Sequence, residues 1–217
     1  MPRKTNERAE NLRRELAQTA ARIMAEQGIS DFLLAKQKAA QRLGVSESGN
    51  LPRNVEVQDA LHEYHRLFST ERQAGLIDRL RRAAREAMAM FNAFNPRLVG
   101  QVLAGTATDH SAVELHLFAE TSEQVAVYLL QNDVPYEVRE WRGRSRRGQA
   151  LSQPVFTFLA GAVPVEAVVF PLNGLREAPS SPVDGRPMKR ATLRELDALL
   201  AFSPAGIQPG TFPAPGL

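Results

Sequence analysis

The sequence contains no cysteine. That absence removes disulfide frameworks, thiolate nucleophiles and cysteine-ligated zinc together, and it suits a reducing compartment. A long apolar run is missing as well. No stretch approaches the roughly 20 residues that a membrane-spanning helix needs, and the opening MPRKTNERAENLRREL is too polar for a secretory signal, so the expectation is a cytoplasmic protein with no membrane partner. Charge of one sign is also scarce: 27 Lys and Arg stand against 24 Asp and Glu, a formal +3. So small a surplus permits nucleic acid or phosphate ligands without demanding them. No internal repeat is present. What the chain does have is an ordinary hydrophobic share, 43% of 217 residues, enough to bury one large domain or two small ones.

Residues 1–95 read as a helical module. Leu12, Leu16, Ala20, Ile23 and Met24 share one face of a first helix that Gly28 stops. Asp31 is placed to cap a second helix ending at Leu43–Gly44, and Asn54, after the loop SESGNLP, a third. The third helix would bury Val57, Leu61, Tyr64 and Phe68. Thr70 with Gln73 has capping-box spacing for a fourth, whose stripe is Ile77, Leu80, Ala84, Met88 and Phe91.

At Asn95-Pro96 the pattern changes to short strands, and residues 96–202 read as an α+β unit. Strands are predicted near Leu98–Val102, Val113–Phe118, Tyr136–Trp141, Val155–Leu159 and Val163–Phe170. A helix is predicted from Thr121 or Ser122 to Gln131, and another after the Thr192/Glu195 capping box. Asn173-Gly174 and the proline- and serine-rich 178–187 read as loop. The tail 203–217, SPAGIQPGTFPAPGL, has the proline and glycine content of a disordered end.

The stretch from Leu98 to Phe118, LVGQVLAGTATDHSAVELHLF, organises this second half. Its strand alternates, with Ala112, Glu114, His116 and Phe118 on one face and Val113, Leu115 and Leu117 on the other. A glycine at a strand end lets backbone approach phosphates, and carboxylates alternating along a strand can bridge divalent cations. Taken in order, Val99-Gly100-Gln101, then Thr108-Asp109-His110-Ser111, then Ala112-Val113-Glu114-Leu115 resembles the opening motif of the polymerase-beta-type nucleotidyltransferase superfamily. That motif runs from a hydrophobic residue and a glycine element, over about ten residues, to acidic–hydrophobic–acidic–hydrophobic, with a third carboxylate on a later strand where Glu166 stands in VPVEAVVF.

The resemblance spans roughly Leu98 to Phe170 and implies a small mixed sheet with flanking helices. It further implies transfer of a nucleotidyl group from a nucleoside triphosphate, with Mg²⁺ held by Glu114 and Glu166 as the catalytic carboxylates. Gly100, Gln101 and Ser111 would line the nucleotide. Two positions depart from the pattern: Gln101 replaces the second Gly or Ser, and Ala112 replaces the first acid of the pair, leaving a methyl group where Mg²⁺ needs oxygen. The expected site is therefore degenerate. A non-catalytic binding or interaction module on the same fold is the alternative that Ala112 raises.

Three further features invite a reading. The segment 38–46, KAAQRLGVS, resembles the turn of a helix-turn-helix and offers a DNA-binding regulator using Lys36, Lys38 and Arg42, although Gly49 and Pro52 interrupt the recognition helix. His62 and His65 share a helix at a spacing that suits one metal, but with Tyr64 buried they are expected to face water. Arg139, Arg142, Arg144, Arg146 and Arg147 surround Trp141 in what reads as a loop between strands, suited to phosphate or nucleic acid contact with Trp141 free to stack a base.

Overall fold

Asp31 and Gly44 bound the second helix as their chemistry dictates. In the computed structural model, which describes residues 3–45, 51–68 and 70–202, Asp31 accepts the Leu33 and Leu34 N–H groups at 2.7 and 3.0 Å, and Gly44 closes the helix in the left-handed conformation. Three helices precede the long one that reaches the sheet: α1 (Arg3–Gln27), α2 (Phe32–Leu43) and α3 (Asn54–Phe68). Their inward faces form a core of their own, with Leu16, Ala20, Ile23, Met24, Ala35, Ala39, Val57 and Leu61 all nearly inaccessible. The small alanines of α1 and α2 allow close approach of the two helices.

The third helix begins differently from its predicted cap. Asn54 is already helical, and the Arg53 N–H is held instead by Glu56 at 2.6 Å. The Asn54 side chain bridges outward, accepting from Lys36 Nζ at 2.8 Å and donating to the Pro182 carbonyl at 2.7 Å. Parts of the SESGNLP loop, the Phe68 and Thr70 side chains and the 203–217 tail lie outside the described residues.

Helix α4 (Thr70–Met90) carries the predicted stripe, and Ile77, Leu80, Ala84, Met88 and the following Phe91 are all buried. They pack on the sheet rather than on α1–α3. The change at Pro96 thus separates helix from strand, while the cores separate α1–α3 from α4 and the sheet.

The fold is α+β, with a helical N-terminal part and one mixed five-stranded sheet of order β1-β2-β5-β4-β3. The strands are β1 (Arg97–Val99), β2 (Val113–Ala119), β3 (Glu137–Arg144), β4 (Ala150–Ala160) and β5 (Val163–Pro171). Only the β2–β5 pair is parallel. One face presents Leu98, Leu115, Leu117, Phe156, Phe158, Ala167 and Val169 to α4 and to α6 (Ser122–Gln131) and α7 (Leu193–Ala201). The α7 capping box forms as read, Thr192 accepting from the Glu195 N–H and Glu195 from the Thr192 N–H.

β1 is shorter than predicted. The strand stops at Val99 because Gly100 turns to a φ of +69°, and the chain enters a short helix, α5 (Gly100–Ala104). Conversely, β3 and β4 run further than their apolar residues suggested, since the hairpin ladder satisfies backbone groups whatever the exposed side chains are. Among the described residues no helix is long and apolar enough to cross a membrane.

Candidate functional site

The second sheet face is closed at one end and open at the other. Toward the closed end, His116, Phe118, Val155, Val168 and Phe170 are buried, with Trp141 packed against them. Toward the open end stand Glu114 and Glu166, paired in register on the parallel strands β2 and β5, so their side chains leave the same face next to each other. Val99 of β1 and Thr157 of β4 extend that row on either side.

Gly100 is the reason Glu114 fits. Its left-handed backbone lies so close to the Glu114 carboxylate that a Cβ there would overlap both oxygens, and the Gln101 backbone N–H donates to the carboxylate. Burial raises the Glu114 pKa above the ordinary carboxylate range; the Gln101 N–H opposes that shift and the Glu166 carboxylate adds to it. The Gln101 side chain faces the following loop, where Ser111 Oγ donates to Gln101 Oε1 at 2.7 Å while accepting the Thr108 N–H at 2.9 Å. From α4, Gln73 Nε2 reaches the Gly105 and Ala107 carbonyls at 3.3 and 2.8 Å, and Arg72 and Arg79 pair with Asp109 at 2.9 and 3.5 Å. The loop between Gly100 and Glu114 is therefore tied down at several points.

These residues line a cleft of about 1780 Å³ between the sheet, helices α2 and α3, and the segment from Ser181 to Ala191. Gly100, Gln101, Ser111, Ala112, Glu114 and Glu166 all border it, so the five residues predicted for nucleotide and metal come together. Asp31, Asn54, Asp59 and His62 face them from the helices, and Arg186, Lys189 and Arg190 from the segment. The volume is ample for a nucleotide-sized ligand.

Among the described residues no three His, Asp or Glu side chains converge on a metal position. Glu114 and Glu166 would offer a divalent cation two oxygen-bearing side chains, enough for one ion that draws its other ligands from phosphate and water. They do not suit a two-metal centre, because Ala112 borders the cleft with a methyl group.

Other candidates move. The arginine cluster lies mostly within β3, at the sheet edge remote from β1, and only Arg146 and Arg147 occupy the hairpin loop. Arg139 pairs with Glu137 at 2.9 Å and Arg142 with Glu140 at 2.6 Å; Arg142, Arg144, Arg146 and Arg147 are exposed and do not border the cleft. Trp141 is not free to stack a base: its ring packs 5.5 Å from Phe170 and 6.3 Å from His116, over Gly143. His65 turns inward where water was expected, 8% exposed, with neither ring nitrogen bonded among the described residues, and burial and nearby His62 lower its pKa. His62 is exposed and borders the cleft.

The residue that sequence reasoning missed is Arg190. The segment before it reads as loop, and nothing in its spacing places an arginine on the sheet. Arg190 Nε donates to His116 Nδ1 at 3.0 Å and Nη1 to the Gly174 carbonyl at 2.7 Å. Burial, with the Arg190 charge adding to it, pushes the His116 pKa down to about 3, so the imidazole is neutral and its Nδ1 is an acceptor.

No protein-family model, curated protein or solved structure matches the chain.

Proposed function

We propose that this is a nucleotidyltransferase-like protein whose cleft binds a nucleoside triphosphate, and that binding rather than efficient transfer is its principal activity. The observation that carries the reading is the meeting of Gly100, Glu114 and Glu166 in the wall of one cleft, through the β2–β5 register and the turn after β1. Glu114 and Glu166 would hold a divalent cation, which would supply positive charge to offset the ligand's polyphosphate. This chain's own residues orient the ligand: the turn at Gly100–Gln101 limits one wall, and Ser111 and Gln101 brace each other beside it. Ala112 favours binding over transfer, since a second cation has no carboxylate there.

The DNA-regulator reading finds less support. Helix α3, the element that would have to enter a groove, borders the cleft with Asn54, Gln58 and Asp59, and Asn54 is tied to Pro182.

Calorimetry with each of the four nucleoside triphosphates, in Mg²⁺ and separately in Mn²⁺, tests the proposal. Saturable binding that weakens in Glu114→Gln and in Glu166→Gln is the expected result. Absence of binding with either metal sinks it.

A further inference from the structure

Arg190 is held on three sides and left unpaired on the fourth. Its backbone is fixed, because Ala191 exchanges both hydrogen bonds with Leu98 at 2.8 and 2.9 Å. Its Nε and Nη1 are committed to His116 and to the Gly174 carbonyl. Its guanidinium carbon lies 5.0 Å from the Phe118 ring centre and 5.5 Å from that of Phe170. Nη2 is covered and has no hydrogen-bond partner among the described residues.

Among the described residues no carboxylate pairs with this charge. The partner at Nδ1 is a neutral imidazole, and the other charged group acting on Arg190 is a cation, Arg97. Burial and Arg97 bring the Arg190 pKa down to about 10, which still leaves the guanidinium protonated at neutral pH. A partly buried, permanently charged guanidinium whose Nη2 is covered and unpaired is costly unless a ligand completes it. Arg190 borders the same cleft as Glu114 and Glu166, and Lys189 and Arg186 border it beside Arg190. Guanidinium is the side chain best matched to phosphate or carboxylate oxygens.

We propose that Arg190 is the anion-binding residue of the cleft: when the atoms that cover Nη2 shift aside, Nη2 donates to an oxygen of a phosphate or carboxylate group on the ligand. Anchoring of Nε and Nη1 keeps that donor in one direction, so the ligand does not have to order a flexible side chain. The assignment stands apart from the carboxylate pair: it requires an anionic group on the ligand and no divalent cation.

The test uses the full chain in EDTA, so that no divalent cation contributes. The Arg190 Nε–H resonance is identified in the parent protein by scalar coupling across its hydrogen bond to His116 Nδ1, which needs no variant. Inorganic tripolyphosphate and citrate are then titrated in separate arms. A saturable shift of that resonance with tripolyphosphate alone assigns a phosphate ligand, with citrate alone a carboxylate ligand. Arg190→Gln should weaken the active probe about tenfold, and Arg190→Lys should recover only part of the loss. An unmoved Nε–H resonance in both arms, or equal affinity in parent and a folded Arg190→Gln, overturns the proposal. A retained shift in a protein that binds no nucleotide with metal overturns only the nucleotide reading.

Discussion

Gly100 and Glu114 contend for the same space. The strand-ending glycine adopts a φ of +69°, and a methyl group on it would fall within the Glu114 carboxylate, which takes the next backbone N–H, that of Gln101. Gly100→Ala therefore adds strain at a left-handed position and a clash, and should cost about 1–3 kcal/mol of stability. Glu114→Ala removes one of the two problems. In a double-mutant cycle read by urea unfolding, the pair should destabilise by less than the sum of the singles; strict additivity would show that the two residues do not touch.

The pH dependence of stability follows from the raised Glu114 pKa. The folded protein keeps this proton to a higher pH than the unfolded chain, whose carboxyl titrates near the ordinary 4.5. Stability from this group therefore falls as pH rises from the unfolded pKa through the folded one and then levels off. Glu114→Gln cannot titrate. Unfolding midpoints between about pH 4 and about pH 8 should show the variant gaining on the parent as pH rises; a constant difference across the range would contradict the raised pKa.

Ala112 brings a methyl group to the cleft that Glu114 and Glu166 border. Ala112→Asp places a carboxylate on the face shared with Glu114, two residues along from it. If the cleft takes a cation with its nucleotide, Mn²⁺-dependent nucleotide affinity should rise by roughly tenfold, as calorimetry would measure. A fall, from repulsion among three carboxylates with no cation to offset it, would argue against a metal-assisted site.

Gln73 is the tie between α4 and the loop that leads to Glu114. One amide donates to two carbonyls, those of Gly105 and Ala107. Gln73→Ala should cost about 1–3 kcal/mol in thermal or urea unfolding, because partly buried acceptors lose their donor. Asp109→Ala, which removes exposed ion pairs to Arg72 and Arg79, should change stability by no more than about 1 kcal/mol.

The arginines of the hairpin do not border the cleft, although the Arg144 carbonyl accepts the N–H of Ser180, next to cleft-lining Ser181. Arg144, Arg146 and Arg147 changed together to Ala should leave affinity for the proposed nucleotide within about twofold, since charges this exposed are largely screened by solvent and salt. A larger loss in calorimetry would place these arginines at the ligand.

Local chemistry made much of this protein legible in its residues. The Asp31 and Thr192 caps, the Gly44 stop, the α4 stripe and the alternation of β2 depend on contacts only a few residues apart, and the structure has each of them. The sequence by itself also placed a glycine, a serine and two glutamates in an order from which their meeting could be expected. Only the tertiary structure decided the rest. The parallel β2–β5 register sets Glu114 beside Glu166 although 51 residues lie between them, and no local pattern encodes a pairing partner. The same is true of Trp141, which looked like an exposed stacking platform and is packed on Phe170, and of His65, turned into the core. Arg190 is the clearest case. Its role rests on a strand edge, an imidazole, a carbonyl and two aromatic rings from separate parts of the chain, and distance in space, which sequence spacing does not carry, brings them together.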